Sequence, residues 1–306
     1  MAHLFGPVPS RRLGRSLGVD LIPSKTCPYD CIYCEVGPTT RQIAERFPHH
    51  TETITGELED YLEDLPLPPD VITLAGSGEP TLNLGLGRII RAIKEMSQIP
   101  VAVLTNGALL YLPEVRMELA AADIVLPSLD SAREETYRLI NRPLPGLSLE
   151  SLLEGLSSFR REFHCQIWLE VMLLKGLNDT EEELACLRRA LTEIAPNRIQ
   201  LNTAVRPVVE AAARSLDRAE MEAAEAFLGG PLEVIASFSR TEIPELSCQD
   251  EDLVEMLSRR PMTAADVAQA LGLPLVQVVT RLRYLLDSGH ISHDRYHDQE
   301  FFRHQT

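Results

Sequence analysis

The 306-residue sequence predicts an α/β fold, a partial (β/α)6 TIM-like barrel followed by a small winged helix-turn-helix unit. Three observations carry that reading. Short apolar runs alternate with longer segments of helical period between Leu17 and Ala236, and repeated strand–helix alternation implies a parallel sheet covered by helices. The strand candidates are near-continuous apolar runs, as a sheet buried on both faces requires. After Phe238 the composition turns polar and proline-containing, then resumes as three short helical patterns. The expected division is a catalytic domain at 1–238, a linker at 239–249 and the small unit at 250–306.

Strands are expected at 17–22, 71–75, 101–105, 124–128, 167–173 and 199–202. Between them the spacing predicts helices over 57–65, 84–96, 113–121, 149–163 and 180–194. The last opens on Asn178-Asp179-Thr180, with Glu182 and Glu183 in its first turn, where the helix dipole favours anions. Leu184, Leu187 and Leu191 mark its apolar face. Near the carboxyl end helices are expected at 250–257, 264–271 and 275–286. Thr263 and Asp266 have capping-box spacing, Gly272 ends the second helix, and Pro274 suits the first turn of the third. Gly289 and Ile291 then suggest a short strand or wing.

The formal charge of −16 argues against non-specific binding of nucleic acid or an anionic membrane. The first 48 residues are locally basic, with Arg11, Arg12, Arg15, Lys25, Arg41 and Arg46, which leaves open either an RNA contact or pairing with nearby carboxylates. No run approaches the roughly 18 apolar residues of a membrane span, so no membrane partner is expected. The amino terminus lacks an apolar h-region, and the expected address is cytoplasmic. In the small unit acidic residues outnumber arginines, and its third helix offers only Arg281 and Arg283. Duplex DNA is therefore not an expected partner; a protein, or the catalytic domain itself, is.

The chemistry-bearing feature is Cys27-Pro28-Tyr29-Asp30-Cys31-Ile32-Tyr33-Cys34, whose Cys27, Cys31 and Cys34 can converge on one metal centre from a single loop. Zinc would want a fourth ligand, which His49 or His50 could supply. An iron–sulfur cubane held by three thiolates would keep one iron open to a small molecule. Chemistry on parallel barrels sits at the carboxyl ends of the strands. Those ends carry Gly76-Ser77-Gly78-Glu79-Pro80, Thr105-Asn106-Gly107, Ser128-Leu129-Asp130 and Asn202-Thr203. Trp168 and Glu170 alternate along the fifth strand and share a face, either the lumen or the helix side. Arg206 suits a carboxylate or phosphate, or a structural ion pair.

Through these residues the chain resembles the radical S-adenosylmethionine superfamily over about residues 4–236. The resemblance implies a [4Fe–4S] cluster on Cys27, Cys31 and Cys34, with Tyr33 beside the pocket for S-adenosyl-L-methionine. Gly76, Ser77, Gly78, Glu79 and Pro80 are similar to the family's glycine loop for the methionine amino group. Ser128 and Asp130 match positions that reach the ribose or methionine moiety, with Asn106 and Asn202 as neighbouring contacts. It also implies reductive cleavage of the cofactor, hydrogen abstraction from a substrate, and an electron donor such as flavodoxin or ferredoxin. The stretch from Phe5 to Asp20 resembles the wyosine-synthase-like branch, which implies a base in transfer RNA as substrate. No cysteine precedes Cys27, so the resemblance does not extend to that branch's second cluster. The alternatives are a protein-modifying or glycyl-radical-activating enzyme, and an iron–sulfur sensor with a DNA-binding winged helix.

Overall fold

The computed structural model describes residues 3–304 apart from 11, 64–67, 236–249, 272 and 297–298. The expected linker at 239–249 lies outside the described residues. The chain begins with β1 (Leu4–Ser10), β2 (Gly14–Val19), β3 (Thr26–Cys27), β4 (Arg41–Gln42) and α1 (Thr51–Glu63). It continues through β5 (Val71–Leu74), a 3-10 turn at Pro80–Leu82, α2 (Leu86–Met96), β6 (Val101–Thr105), α3 (Pro113–Leu119) and β7 (Ile124–Pro127). Then follow α4 (Glu134–Asn141), α5 (Leu149–Glu162), β8 (Gln166–Leu173), α6 (Glu181–Ile194), β9 (Arg198–Thr203), α7 (Arg218–Leu228) and β10 (Leu232–Val234). The carboxy-terminal unit holds α8 (Asp250–Arg259), β11 (Met262–Thr263), α9 (Ala264–Leu271), α10 (Leu275–Asp287), β12 (Ile291–Tyr296) and β13 (Gln299–His304).

The main sheet runs β1-β2-β5-β6-β7-β8-β9-β10, eight strands rather than the six expected. Every pair from β2 to β10 is parallel, while β1 pairs antiparallel with β2 as an added edge. The expected strand at 17–22 starts earlier and stops at Val19, because the Asp20 carboxylate turns the chain there by accepting from the Ser77 backbone N–H at 3.1 Å. Side-chain caps open α5, α6 and α7. Ser148 accepts from Ser151 N to open α5, and Thr180 accepts from Glu183 N to open α6.

Helices bury the outer face of the sheet in one large cluster that includes Leu17, Ile72, Val103, Val125 and Leu169. The inner face is filled at its lower end by Leu13, Val71, Ala102 and Leu126, with Leu104, Ile124 and Trp168 packed on them. This apolar floor leaves the carboxyl rim as the polar end of the lumen.

In the carboxy-terminal unit, three helices pack on a three-stranded sheet ordered β11-β13-β12. The Thr263–Asp266 capping box forms in both directions, at 3.2 and 3.1 Å. Arg281 of α10 is turned inward onto Asp250 at 2.9 Å. The core of this unit takes in Val8 of β1, and the Tyr296 hydroxyl donates to the Ala204 carbonyl, just past β9, at 3.3 Å. It therefore meets the barrel on both sides of its open seam.

Candidate functional site

The cysteine loop is clamped to the end of α4. Asp30 N donates to Asn141 O at 3.1 Å and Ile32 N to Ile140 O at 3.0 Å, with the Ile32 side chain buried beneath. Tyr29 meets Tyr137 edge-on, and the Tyr137 hydroxyl donates to that of Tyr29 at 2.8 Å. Each thiol has its own donor. Asn106 Nδ2 reaches Cys27 Sγ at 3.3 Å, Asn141 Nδ2 reaches Cys31 Sγ at 3.5 Å, and backbone N–H groups of Val36 and Gly37 serve Cys34. Burial pushes all three thiols up from the ordinary value; the charge of Glu79 adds to this at Cys27, and that of Cys27 at Cys31.

Behind this loop the glycine segment is bolted in place. Asp20 Oδ2 accepts from the Ser77 hydroxyl at 2.7 Å as well as from its N–H. Glu79 is buried, and its Oε1 accepts from Thr81 N at 3.1 Å and from the Thr81 and Thr105 hydroxyls at 2.6 Å each. Its Oε2 accepts from Asn106 N at 2.8 Å, which aims the Asn106 amide at Cys27. Burial raises the Glu79 carboxyl against the pull of these donors.

Across the rim stands a second carboxylate. Asp130 Oδ2 accepts from the Tyr33 hydroxyl at 2.5 Å and from Asn141 Nδ2 at 2.6 Å, while Oδ1 accepts from Met172 N at 2.9 Å. Its own carbonyl accepts from Asn178 Nδ2 at 2.7 Å. One aspartate thus ties the cysteine loop, α4, β7 and β8 together. Below it Glu170 faces the lumen, accepting from Asn202 Nδ2 at 3.0 Å and pairing with Arg12 Nη1 at 2.7 Å. Arg12 also reaches Gln200 Oε1 at 3.3 Å, so the turn between β1 and β2 spans the lumen.

A cavity of about 350 Å³ lies in this lumen, and Tyr33, Cys34, Gly76, Ser128, Asp130 and Asn202 all line it. Ser77, Gly78, Glu79, Pro80 and Asn106 stand behind that surface as its support: Pro80 begins a 3-10 turn capped by Glu79. Arg206 lines the cavity while its Nη1 meets Glu35 at 3.0 Å, so both readings of that residue hold geometrically. His49 and His50 meet edge-on and both pack against His3, and among the described residues no three His, Cys, Asp or Glu are grouped to hold one metal ion. Asn141 carries no sequence signal, and the sequence shows Asp20 and the basic Arg12 without their partners. Asn141 bonds Cys31 across 110 positions and Arg12 bonds Gln200 across 188, separations at which no local pattern exists.

The family model described as the Radical SAM superfamily matches residues 21–187, which spans the cysteine loop, the glycine segment and Asp130. The chain belongs to the radical SAM superfamily. It is 35% identical over 268 residues to a UPF0026 protein of Helicobacter pylori, covering 86% of each. It is also 37% identical over 300 residues to a protein of Brachyspira hyodysenteriae named GTPase Obg, covering 94% of this chain but only 43% of that relative. Among solved structures, that of TYW1 with a lysine-pyruvate adduct bound shares the fold, with a TM-score of 0.51 at 20% identity over 73% of this chain and 75% of that one. The superfamily to which it belongs works with a [4Fe–4S] cluster and S-adenosylmethionine. The donor set fits such a cluster. Three thiols whose ionisation is opposed by burial and by one another need a compensating cationic centre, and amide donors to sulfur are the protein's lever on a cluster's potential.

Proposed function

We propose that Cys27, Cys31 and Cys34 hold a [4Fe–4S] cluster at the mouth of the lumen, and that S-adenosylmethionine binds beside it against Gly76, Ser128, Asp130 and Asn202. The observation that carries this is the single cavity wall shared by Cys34, Tyr33 and those four residues. A bound, reduced cluster supplies the electron that cleaves a carbon–sulfur bond of the cofactor and so begins hydrogen abstraction from substrate. An external donor such as flavodoxin or ferredoxin provides that electron.

The chain's own residues do the positioning. Asn106 and Asn141 orient two thiolates, Asp130 fixes the Tyr33 ring by its hydroxyl, and the floor built on Leu13, Val71, Ala102 and Leu126 keeps water from the lower lumen. Glu170, held between Arg12 and Asn202, is an ionisable group within the chamber. The three helices and small sheet beyond residue 249 are read as a winged-helix domain. A transfer-RNA base or a peptide side chain would have to be inserted past the rim, whereas the lumen is of the size that takes small molecules.

The test is anaerobic reconstitution followed by iron analysis and detection of 5′-deoxyadenosine. About four irons per chain are expected, with Cys34→Ala losing both cluster and cleavage, because one iron then lacks its charge-compensating ligand. Full iron content and cleavage in Cys34→Ala would overturn the assignment.

A further inference from the structure

Met256, Arg260 and Met262 of the carboxy-terminal unit line the same cavity as Cys34 and Asp130. Of the two partners expected for this unit, a protein or the catalytic domain itself, it meets the second: its core absorbs Val8 at one side of the seam and Tyr296 bonds Ala204 at the other, so it closes one side of the chamber. Residues 256–262 also lie beyond the 21–187 match to the superfamily, so this wall lies outside the matched core.

We propose that this wall selects the substrate, and that the substrate is a small amphipathic anion: a carboxylate or phosphate on an apolar body. The inference rests on the lumen being the reaction chamber proposed above. Val8, Ile235, Met256 and Met262 give the wall side an apolar surface, and Arg260 is the cation set into it. Methionine's unbranched, polarisable side chain fits irregular apolar bodies. A guanidinium beside apolar surface attracts an anion more strongly than one in water, and its planar fork matches carboxylate and phosphate oxygens. Arg206, ion-paired to Glu35 on the same cavity, adds a second guanidinium facing the chamber. An apolar wall carrying a guanidinium suits a small molecule better than a base carried on a large acidic polymer.

The test is calorimetry on the full chain without cofactors, so that its outcome is independent of cluster assembly or cleavage. The probes are hexanoate, hexyl phosphate, hexylamine and bulk transfer RNA. Hexanoate or hexyl phosphate should bind with one-to-one stoichiometry, the tighter of the two identifying the head group, and hexylamine should not. Arg260→Gln should weaken the anion by about tenfold or more, as loss of a charge-assisted contact does, and Arg260→Lys should restore part of it. Met256→Trp, which fills the wall side, should block binding and provides a second handle if Arg260→Gln does not fold. Equal binding of hexylamine, an unchanged affinity in Arg260→Gln or Met256→Trp, or no binding of either anion would overturn the proposal. Competition of transfer RNA with hexanoate would overturn it in favour of a nucleobase.

Discussion

Two buried carboxylates organise the rim, and they do so in opposite ways. Glu79 sits behind the glycine segment with four donors converging on it, three of them on one oxygen, and it does not line the cavity. Asp130 spreads its acceptors over Tyr33, Asn141 and Met172 and does line the cavity. Burial raises both above the ordinary carboxyl range. The first joins neighbouring elements, the end of β5 to the end of β6; the second joins parts of the chain 97 positions apart through Tyr33. A short-range bolt can be altered with local damage. A long-range tie fails as a whole.

The largest effect should accordingly come from Asp130→Asn. Its amide would have to keep oxygen toward Met172 N, which turns the new NH₂ against the Asn141 NH₂ and the Tyr33 hydroxyl. A buried donor left facing a donor costs about 1–3 kcal/mol. Positioning of Tyr33 and the Cys31 donor fails with it, so cofactor cleavage should fall by about 100-fold or more. Glu79→Gln should cost similar stability but lower cleavage by less than about tenfold. Denaturant melts paired with 5′-deoxyadenosine assays check both; equal losses of cleavage would erase the distinction between bolt and tie.

The next effect concerns the glycine segment itself. A Cβ on Gly78 would come within 2.4 Å of the Thr26 carbonyl oxygen and 2.8 Å of Ile22 Cγ2. Gly78 is thus small to admit the backbone leading into Cys27, whereas the family resemblance points it at the cofactor. Gly78→Ala should lower iron content on reconstitution together with affinity for S-adenosylmethionine, with an overpacking cost of about 1–3 kcal/mol. Full iron with selective loss of cofactor affinity would return Gly78 to the binding surface.

The six central strands were legible because each is an apolar run between turn residues, and the rim residues followed from parallel topology. β1 was not, since Gly6, Pro7 and Pro9 read as loop; an edge strand tolerates proline because one side of its ladder is unused. β10 is only three residues long. α7 carried a readable signal, the Asp217–Glu220 capping box, which the chain forms in both directions. At the site, Cys27, Cys31, Cys34, Ser128 and Asp130 could be placed from spacing and strand ends. Asn141, the partners of Arg12 and the wall at Met256 could not, because their neighbours come from distant parts of the chain. In the carboxy-terminal unit, Met256 and Met262 face inward at 5% and 1% exposure, a placement that its charge balance does not register.

The smallest expected effect reads the charge state of the bolt. Burial raises the Glu79 carboxyl above its ordinary value of 4.5, so the folded chain binds that proton more tightly than the unfolded chain does. Stability from this group is then fully present below the ordinary value and is lost as pH rises through the raised one. Glu79→Gln has no such titration. The stability of the native chain minus that of the variant, measured by denaturant melts from about pH 4 upward, should therefore decline with rising pH. A difference that grows instead would mean that the Thr81, Thr105 and Asn106 donors outweigh burial and hold Glu79 as an anion. In that case the bolt would carry a charge beside Cys27 throughout the neutral range, acting on the site from behind the cavity surface.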